Sequence, residues 1–323
     1  MTAKPQSISF NKRSRLSSMD AIGLVGIYLI LLVFLAIRAP FFLTAYNFLN
    51  ILVAVSTIGI ISVAMTMVIV SAGIDLSVGS VVALSGVAIA HVGHGRSVWL
   101  GVFAALCVGL IVGAVNGLSV TRLRINPLIA TLGTMSIARG LAFVFSGGLT
   151  QSITDDAFGW LGRGFVYGVP FHVLVMALMF IIAAWVMRHT VFGRSVYAIG
   201  GNEQASRLAG LPVQKVQMAV FVLCGLCAAL GGVFQASQLG AAAPAAANGI
   251  EMSVIAAVIL GGTSLSGGKG TIWGTLLGVL IMGTLNNGLN LMQLSSYWQD
   301  VARGSVLLLA VGLDQLRLRL AER

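Results

Sequence analysis

Apolar runs of membrane-crossing length follow one another along this chain, and that pattern constrains the fold more than any single motif. The runs cover residues 20–38, 47–71, 79–95, 98–120, 127–146, 171–188, 217–238, 251–265, 271–292 and 298–316. A helix needs about 20 residues to cross the hydrocarbon of a bilayer, rising 1.5 Å per residue. Charged residues make up 9% of the chain, whereas a soluble domain carries about 25%. So few charges cannot wet a soluble surface. The expected fold is therefore all-α: a polytopic membrane protein of about ten transmembrane helices. The runs at 79–95 and 251–265 are short and adjoin glycine-rich stretches, so some helices are expected to be short or interrupted.

Charge placement predicts the orientation. The net charge is +10, which in a soluble protein would suggest nucleic acid. No basic stripe interleaved with aromatics exists, so no nucleic-acid partner is expected. Lysines and arginines instead collect in alternate connections and at both ends. Lys4, Lys12, Arg13 and Arg15 precede the first run, while Arg122, Arg124, Arg188, Arg194, Arg207, Lys215, Lys269, Arg317, Arg319 and Arg323 fall on the same side. Arg38, Arg96, Arg139, Arg163 and Arg303 fall outside or in outer halves of runs. By the positive-inside rule both termini are expected to be cytoplasmic. The expected division is a cytoplasmic tail over 1–19, a transmembrane domain over 20–316 and a second cytoplasmic tail over 317–323.

Two connections are long. The outer one, 147–170, holds Asp155, Asp156 and Trp160; the inner one spans 189–216. Within the inner one, Asn202 can cap a helix running through Glu203, Arg207 and Leu208. Gly210 is then placed as the left-handed residue that ends it, with Pro212 just beyond. A short helix exposed on the cytoplasmic face can seat on a partner and carry its motion. An ordinary capped connection is the simpler alternative.

Few residues can carry chemistry. Asp75, in Gly73-Ile-Asp75-Leu-Ser77-Val-Gly79, is a costly charge for a membrane, which suggests a place for it and Ser77 on a solute route. It is equally a favoured cap for a helix beginning at Leu76. A faint echo of the stretch is Gly262-Thr263-Ser264-Leu265-Ser266-Gly-Gly268, a candidate internal repeat around interrupted helices. Asn116, Asn286 and Asn287, like Thr263 and Ser264, offer donors and acceptors suited to a small polar solute, or bonds between helices. Lys269 in Ser266-Gly-Gly-Lys269-Gly270 lacks the first glycine and the Ser/Thr of a phosphate loop, so the chain is not read as an ATPase. His91 and His94 have no third ligand, and no metal site or catalytic constellation is expected. Cys107, Cys224 and Cys227 lie inside apolar runs and imply no disulfide framework.

The run from Phe192 to Val213, FGRSVYAIGGNEQASRLAGLPV, resembles the coupling-loop signature of ribose-type ABC permeases in the branched-chain amino acid and sugar permease superfamily. Three further stretches match in order: AGIDLSVGS (72–80), GAVNGLSVTRLRINPLIATLGTMSIARG (113–140) and AAVILGGTSLSGGKGTIWGTLLGVLIMGTLNNGLNLM (256–292). The likeness spans about residues 20–316. It implies the permease subunit of a binding-protein-dependent importer of a monosaccharide or similar small polar solute. That subunit is non-catalytic and holds no cofactor, since ATP and Mg belong to a partner ATPase. A periplasmic or extracellular sugar-binding protein, a second permease copy or paralogue, and membrane lipid are the other implied partners. The resemblance also places Asn202, Glu203, Ala205, Arg207, Leu208 and Gly210 in the helix that docks on the ATPase. The rival class, an ion-coupled secondary transporter, requires ionisable residues deep in several spans; Asp75 is nearly alone.

Overall fold

The computed structural model describes the backbone of residues 10–321 and the side chains of residues 23–312. Residues 1–9 and 322–323 of the two expected tails lie outside the described residues. The rest is nearly all helix. In chain order the helices are α1 (Phe10–Arg38), α2 (Ala45–Val70), α3 (Val78–Gly93), α4 (Val98–Thr121), α5 (Pro127–Ser146), α6 (Asp156–Arg163), α7 (Phe171–His189), α8 (Val191–Gly201), α9 (Glu203–Leu208), α10 (Val213–Leu239), α11 (Ile250–Leu260), α12 (Ile272–Leu291) and α13 (Ser296–Ala321). Four two-residue strands complete the chain. Of these, β1 (Gln151–Ser152) pairs antiparallel with β4 (Ala241–Ala242), and β2 (Phe165–Val166) with β3 (Val169–Pro170).

Six helices are long and apolar enough to cross a bilayer: α2, α4, α5, α7, α10 and α12. The Gly23–Arg38 part of α1, α3 and α11 are apolar but shorter. On length and composition, then, the described residues give six spans where about ten are expected. The interruptions account for part of the difference. Around the Gly-rich breaks 71–77 and 261–271 the chain forms the short helices α3 and α11.

Burial sorts the spans into layers. The apolar window of α2 is 83% buried and that of α10 is 61%, against 28% for α4 and for α5 and 33% for α7. So α2 and α10 are wrapped by protein, while the outer helices keep an apolar face for lipid. Ile60, Ile61, Met65, Val68 and Ile69 of α2 pack with Val220, Phe221, Cys224 and Ala228 of α10 in the main core. Because lipid is as apolar as leucine, close packing has to hold such helices together. The α4–α10 crossing shows how. A Cβ on Gly109 would strike the Gly225 carbonyl, one on Gly225 would strike Gly109, and one on Gly113 would lie 2.6 Å from the Phe221 carbonyl oxygen. The two backbones touch because neither carries a side chain there.

Between α10 and α11 the chain is not helical. After the β4 strand it runs beside α3: the Cβ of Ala242 lies near Gly86, and the Ala247 carbonyl lies near Gly79. The 147–170 connection is also structured. Asp155 caps α6 by accepting from the Phe158 N–H at 2.8 Å, and α6 buries Phe158, Gly159 and Gly162.

Candidate functional site

The break between α2 and α3 gathers most of the buried polarity. Its first turn closes on a left-handed Ala72 (φ 63°), and the Gly73 N–H returns to the Val68 carbonyl at 2.9 Å. The chain then extends, and α3 begins at Val78 rather than Leu76. Asp75 therefore does not cap a helix at Leu76. Its Oδ1 accepts from the Ser77 N–H at 2.9 Å and the Ser77 hydroxyl at 2.6 Å, a local Asx turn that competes with helix.

Asn116 of α4 completes the arrangement. Its Nδ2 lies 3.3 Å from both Asp75 oxygens and 2.9 Å from Ser77 Oγ, while its Oδ1 accepts from the Thr134 hydroxyl of α5 at 2.6 Å. Thr131, one turn back, donates to the Ile74 carbonyl at 3.4 Å and to Pro127 at 2.8 Å. The structure thus brings Asp75, Ser77 and Asn116 together, each no more than 1% exposed. It adds Thr131 and Thr134, whose signal was their spacing with Ala130 and Ala138 along one buried face of α5. Every acceptor of the carboxylate meets a donor, so the network fixes the relative placement of α3, α4 and α5.

The other polar candidates lie elsewhere. Thr263 and Ser264 sit buried in the second break. Asn287 of α12 exchanges amide bonds with Asn47 of α2 at 3.0 and 2.9 Å, and Asn47 also donates to the Phe42 carbonyl at 3.0 Å. Asn286 keeps its carbonyl oxygen buried with no hydrogen-bond partner among the described residues. Arg139 of α5 donates from one nitrogen to the carbonyls of Pro244 and Ala246, both at 2.8 Å. This clamp satisfies the non-helical segment beside α3. Arg303 pairs with Asp300 at 2.8 Å.

The 189–216 connection holds two helices, not one. Helix α8 buries Ser195, Val196, Ile199 and Gly200. That i, i+1, i+4, i+5 face is legible, but its small residues mask it. Helix α9 follows at once, with Asn202 ending one helix and starting the next. The Asn202 N–H donates to Ala198 at 3.0 Å, and Asn202 Oδ1 accepts from the Ala205 N–H at 2.8 Å. At the far end the Gly210 N–H reaches Arg207 at 3.1 Å and the Leu211 N–H reaches Ser206 at 3.0 Å, with Gly210 at φ 79°. This is a Schellman cap, as Gly210 and Pro212 suggest. Arg207 and Glu203 pair at 2.8 Å, and Leu208 is 90% exposed.

Behind α9 lies a cavity of about 530 Å³ lined by Ser71, Ala72, Thr121, Asn126, Asn202, Glu203, Arg207, Gln214 and Gln217 among others. It joins the end of α2, the α4–α5 turn, the α8–α9 elbow and the start of α10. Tyr197 of α8 donates to the Gly270 carbonyl at 2.8 Å. Burial pushes the Tyr197 phenol up, further from ionising than an ordinary tyrosine.

Comparison with known proteins shows the family. A family model described as the permease component of the branched-chain amino acid transport system matches residues 47–311. The chain is 46% identical over 291 residues to the ribose import permease protein of Escherichia coli (strain K12), covering 88% of this chain and 91% of that protein. Identity to the ribose import permease protein of Bacillus subtilis (strain 168) is also 46%, over 290 residues, with 88% and 90% covered. The L-arabinose ABC transporter permease protein of Azospirillum brasilense is 42% identical over 296 residues, with 91% and 87% covered. With a family match across most of its length and relatives this close, the chain belongs to the family of permease components typified by the branched-chain amino acid transport system.

Proposed function

We propose that this chain is the membrane-spanning, non-catalytic subunit of an ABC importer for a monosaccharide such as ribose, arabinose, xylose or galactose. The carrying observation is the 46% and 42% identity, over 88% and 91% of this chain, to a ribose and an L-arabinose permease. In this reading a partner ATPase binds ATP and Mg. An external sugar-binding protein delivers the solute, and two such chains, identical or paralogous, form the pore in the inner membrane. The interrupted helices α3 and α11, with α1 and α13, complete about ten membrane-embedded segments, and both termini face the cytoplasm.

The coupling contact is α9. Asn202 and Gly210 fix its ends, Glu203 and Arg207 hold each other across one turn, and Ala205 lies within it. Leu208 is presented outward. Motion of the ATPase reaches the bundle as a rigid-body displacement of this helix. Asp75, Ser77 and Asn116 set the geometry of the first break, and Thr263, Ser264, Asn286 and Asn287 are assigned to the solute route. High affinity is the task of the binding protein, so a weakly polar passage suffices.

The test is purification of the tagged chain followed by uptake of labelled pentoses and hexoses in proteoliposomes. The proposal expects a nucleotide-hydrolysing subunit to co-purify and uptake to require ATP and the binding protein. Arg207→Glu should lower uptake while the chain still inserts. Full-rate uptake by the chain alone, without ATP, refutes it.

A further inference from the structure

Three segments far apart in sequence meet at one glycine-lined point. The first is the end of α2 and its break, Val70 to Ala72. The second is the C-terminus of α8, Tyr197 to Gly201. The third is the second break, at Gly267 to Gly270. The Gly268 N–H donates to the Val70 carbonyl at 2.8 Å, joining the two breaks directly. Gly200 is wedged between these same two groups. A Cβ on it would strike the Val70 carbonyl and lie 2.6 Å from the Gly268 nitrogen. Gly267 (φ 80°) would place a Cβ 2.8 Å from both the Ala72 side chain and the Gly200 carbonyl oxygen, and Gly268 (φ 69°) one 2.8 Å from Gly201 Cα. Tyr197, one helical turn before Gly201, holds the same loop through the Gly270 carbonyl at 2.8 Å.

We infer that Tyr197 and Gly200 form a transmission joint that makes any displacement of the α8–α9 elbow move both helix breaks together. The reasoning is mechanical. Asn202 leaves no slack between α8 and α9, because it bonds to both. At the other end, a Cβ on Gly193 of α8 would strike the backbone of Met187 in α7, so α8 is seated tightly there as well. A push on α9 is therefore delivered at Gly200, where backbone meets backbone without a side chain to absorb it. Packed backbone contacts are discrete and do not deform smoothly. Neither break can then shift alone: the Gly268–Val70 bond ties one to the other. Tyr197 and Gly200 are positioning residues in this account and touch no solute.

The inference rests on the reading that α9 receives the ATPase, so the experiment separates the two. The assembled transporter, permease with ATPase and binding protein, is reconstituted as wild type, Tyr197→Phe, Gly200→Ala and Leu208→Asp. ATP hydrolysis, sugar uptake and ATPase co-purification are read for each. Tyr197→Phe removes one hydrogen bond at almost constant volume. It is expected to keep co-purification and hydrolysis near wild type while uptake per ATP falls about tenfold, within the range of allosteric couplings. Gly200→Ala is expected to fall at least as far. A variant that merely loosened the fold would lose hydrolysis and uptake together. Unchanged uptake per ATP in Tyr197→Phe overturns the joint, as does a parallel loss of hydrolysis. Leu208→Asp reports on the underlying reading: co-purification should fail, and an undisturbed complex there refutes α9 as the docking helix whatever Tyr197 shows.

Discussion

Replacing Asn116 by alanine removes a side chain that joins α4 to both the α2–α3 break and α5. Its amide nitrogen gives a 2.9 Å bond to Ser77 and two 3.3 Å contacts to the Asp75 carboxylate. A neutral bond contributes about 1 kcal/mol net, and one to a charged group about 1.5–3 kcal/mol. At 3.3 Å the carboxylate contacts belong at the low end. On the other side little is lost, because the Thr134 hydroxyl also lies 3.3 Å from the Ala130 carbonyl and 3.2 Å from that of Thr131. Asp75 Oδ1 keeps both bonds from Ser77, while Oδ2 loses the Asn116 donor. The expected cost is about 2–3 kcal/mol on these values, well above the roughly 0.6 kcal/mol of an average bond between membrane helices. Equilibrium unfolding in mixed micelles measures it, with labelling of the buried thiols Cys224 and Cys227 as the readout. A double-mutant cycle with Asp75→Asn isolates the shared part. A cost at or below the average interhelical value, with no coupling to Asp75, would show that the network does not act as a unit.

Gly225→Leu forces the α4–α10 backbones apart and should cost at least the 1–3 kcal/mol typical of overpacking, read as a lower thermal midpoint in detergent. Arg139→Leu leaves the Pro244 and Ala246 carbonyls without their donor; hydrogen exchange over 240–249 should rise by about fivefold or more, from a loss of about 1–3 kcal/mol, while α12 is unaffected. Asn47→Leu and Asn287→Leu should each destabilise by about 1–2 kcal/mol, because each strands the other amide. The double variant should cost less than the sum of the singles, and strict additivity would refute the paired reading.

Several elements were legible because their signals are local. The runs at 47–71, 127–146 and 171–188 end within a residue or two of α2, α5 and α7. The α9 caps follow from Asn202, Gly210 and Pro212, three residues whose backbone preferences are strong. What escaped is tertiary. Asn47 and Asn287 lie 240 residues apart, and nothing in either neighbourhood names the other. Arg139 finds backbone carbonyls, which carry no sequence signature. Helix α8 is hidden within the connection because Gly193, Ser195, Gly200 and Gly201 dilute its apolar face. The short run at 79–95 matches α3 to within two residues at each end, while the run at 251–265 overshoots α11, which ends at Leu260 with Gly261 as its cap.

The non-helical stretch that lies along α3 also bears on how the protein is made. Its peptide groups cannot enter hydrocarbon bare, since each unpaired one costs several kcal/mol there. Ribosomes deliver the chain from its N-terminus, so α3, and α5 with its Arg139, emerge well before residues 240–249. A waiting cradle exists by the time the vulnerable strip leaves the insertion machinery. A circular permutant beginning at α10 would reverse that schedule and present the strip with nothing to shelter it.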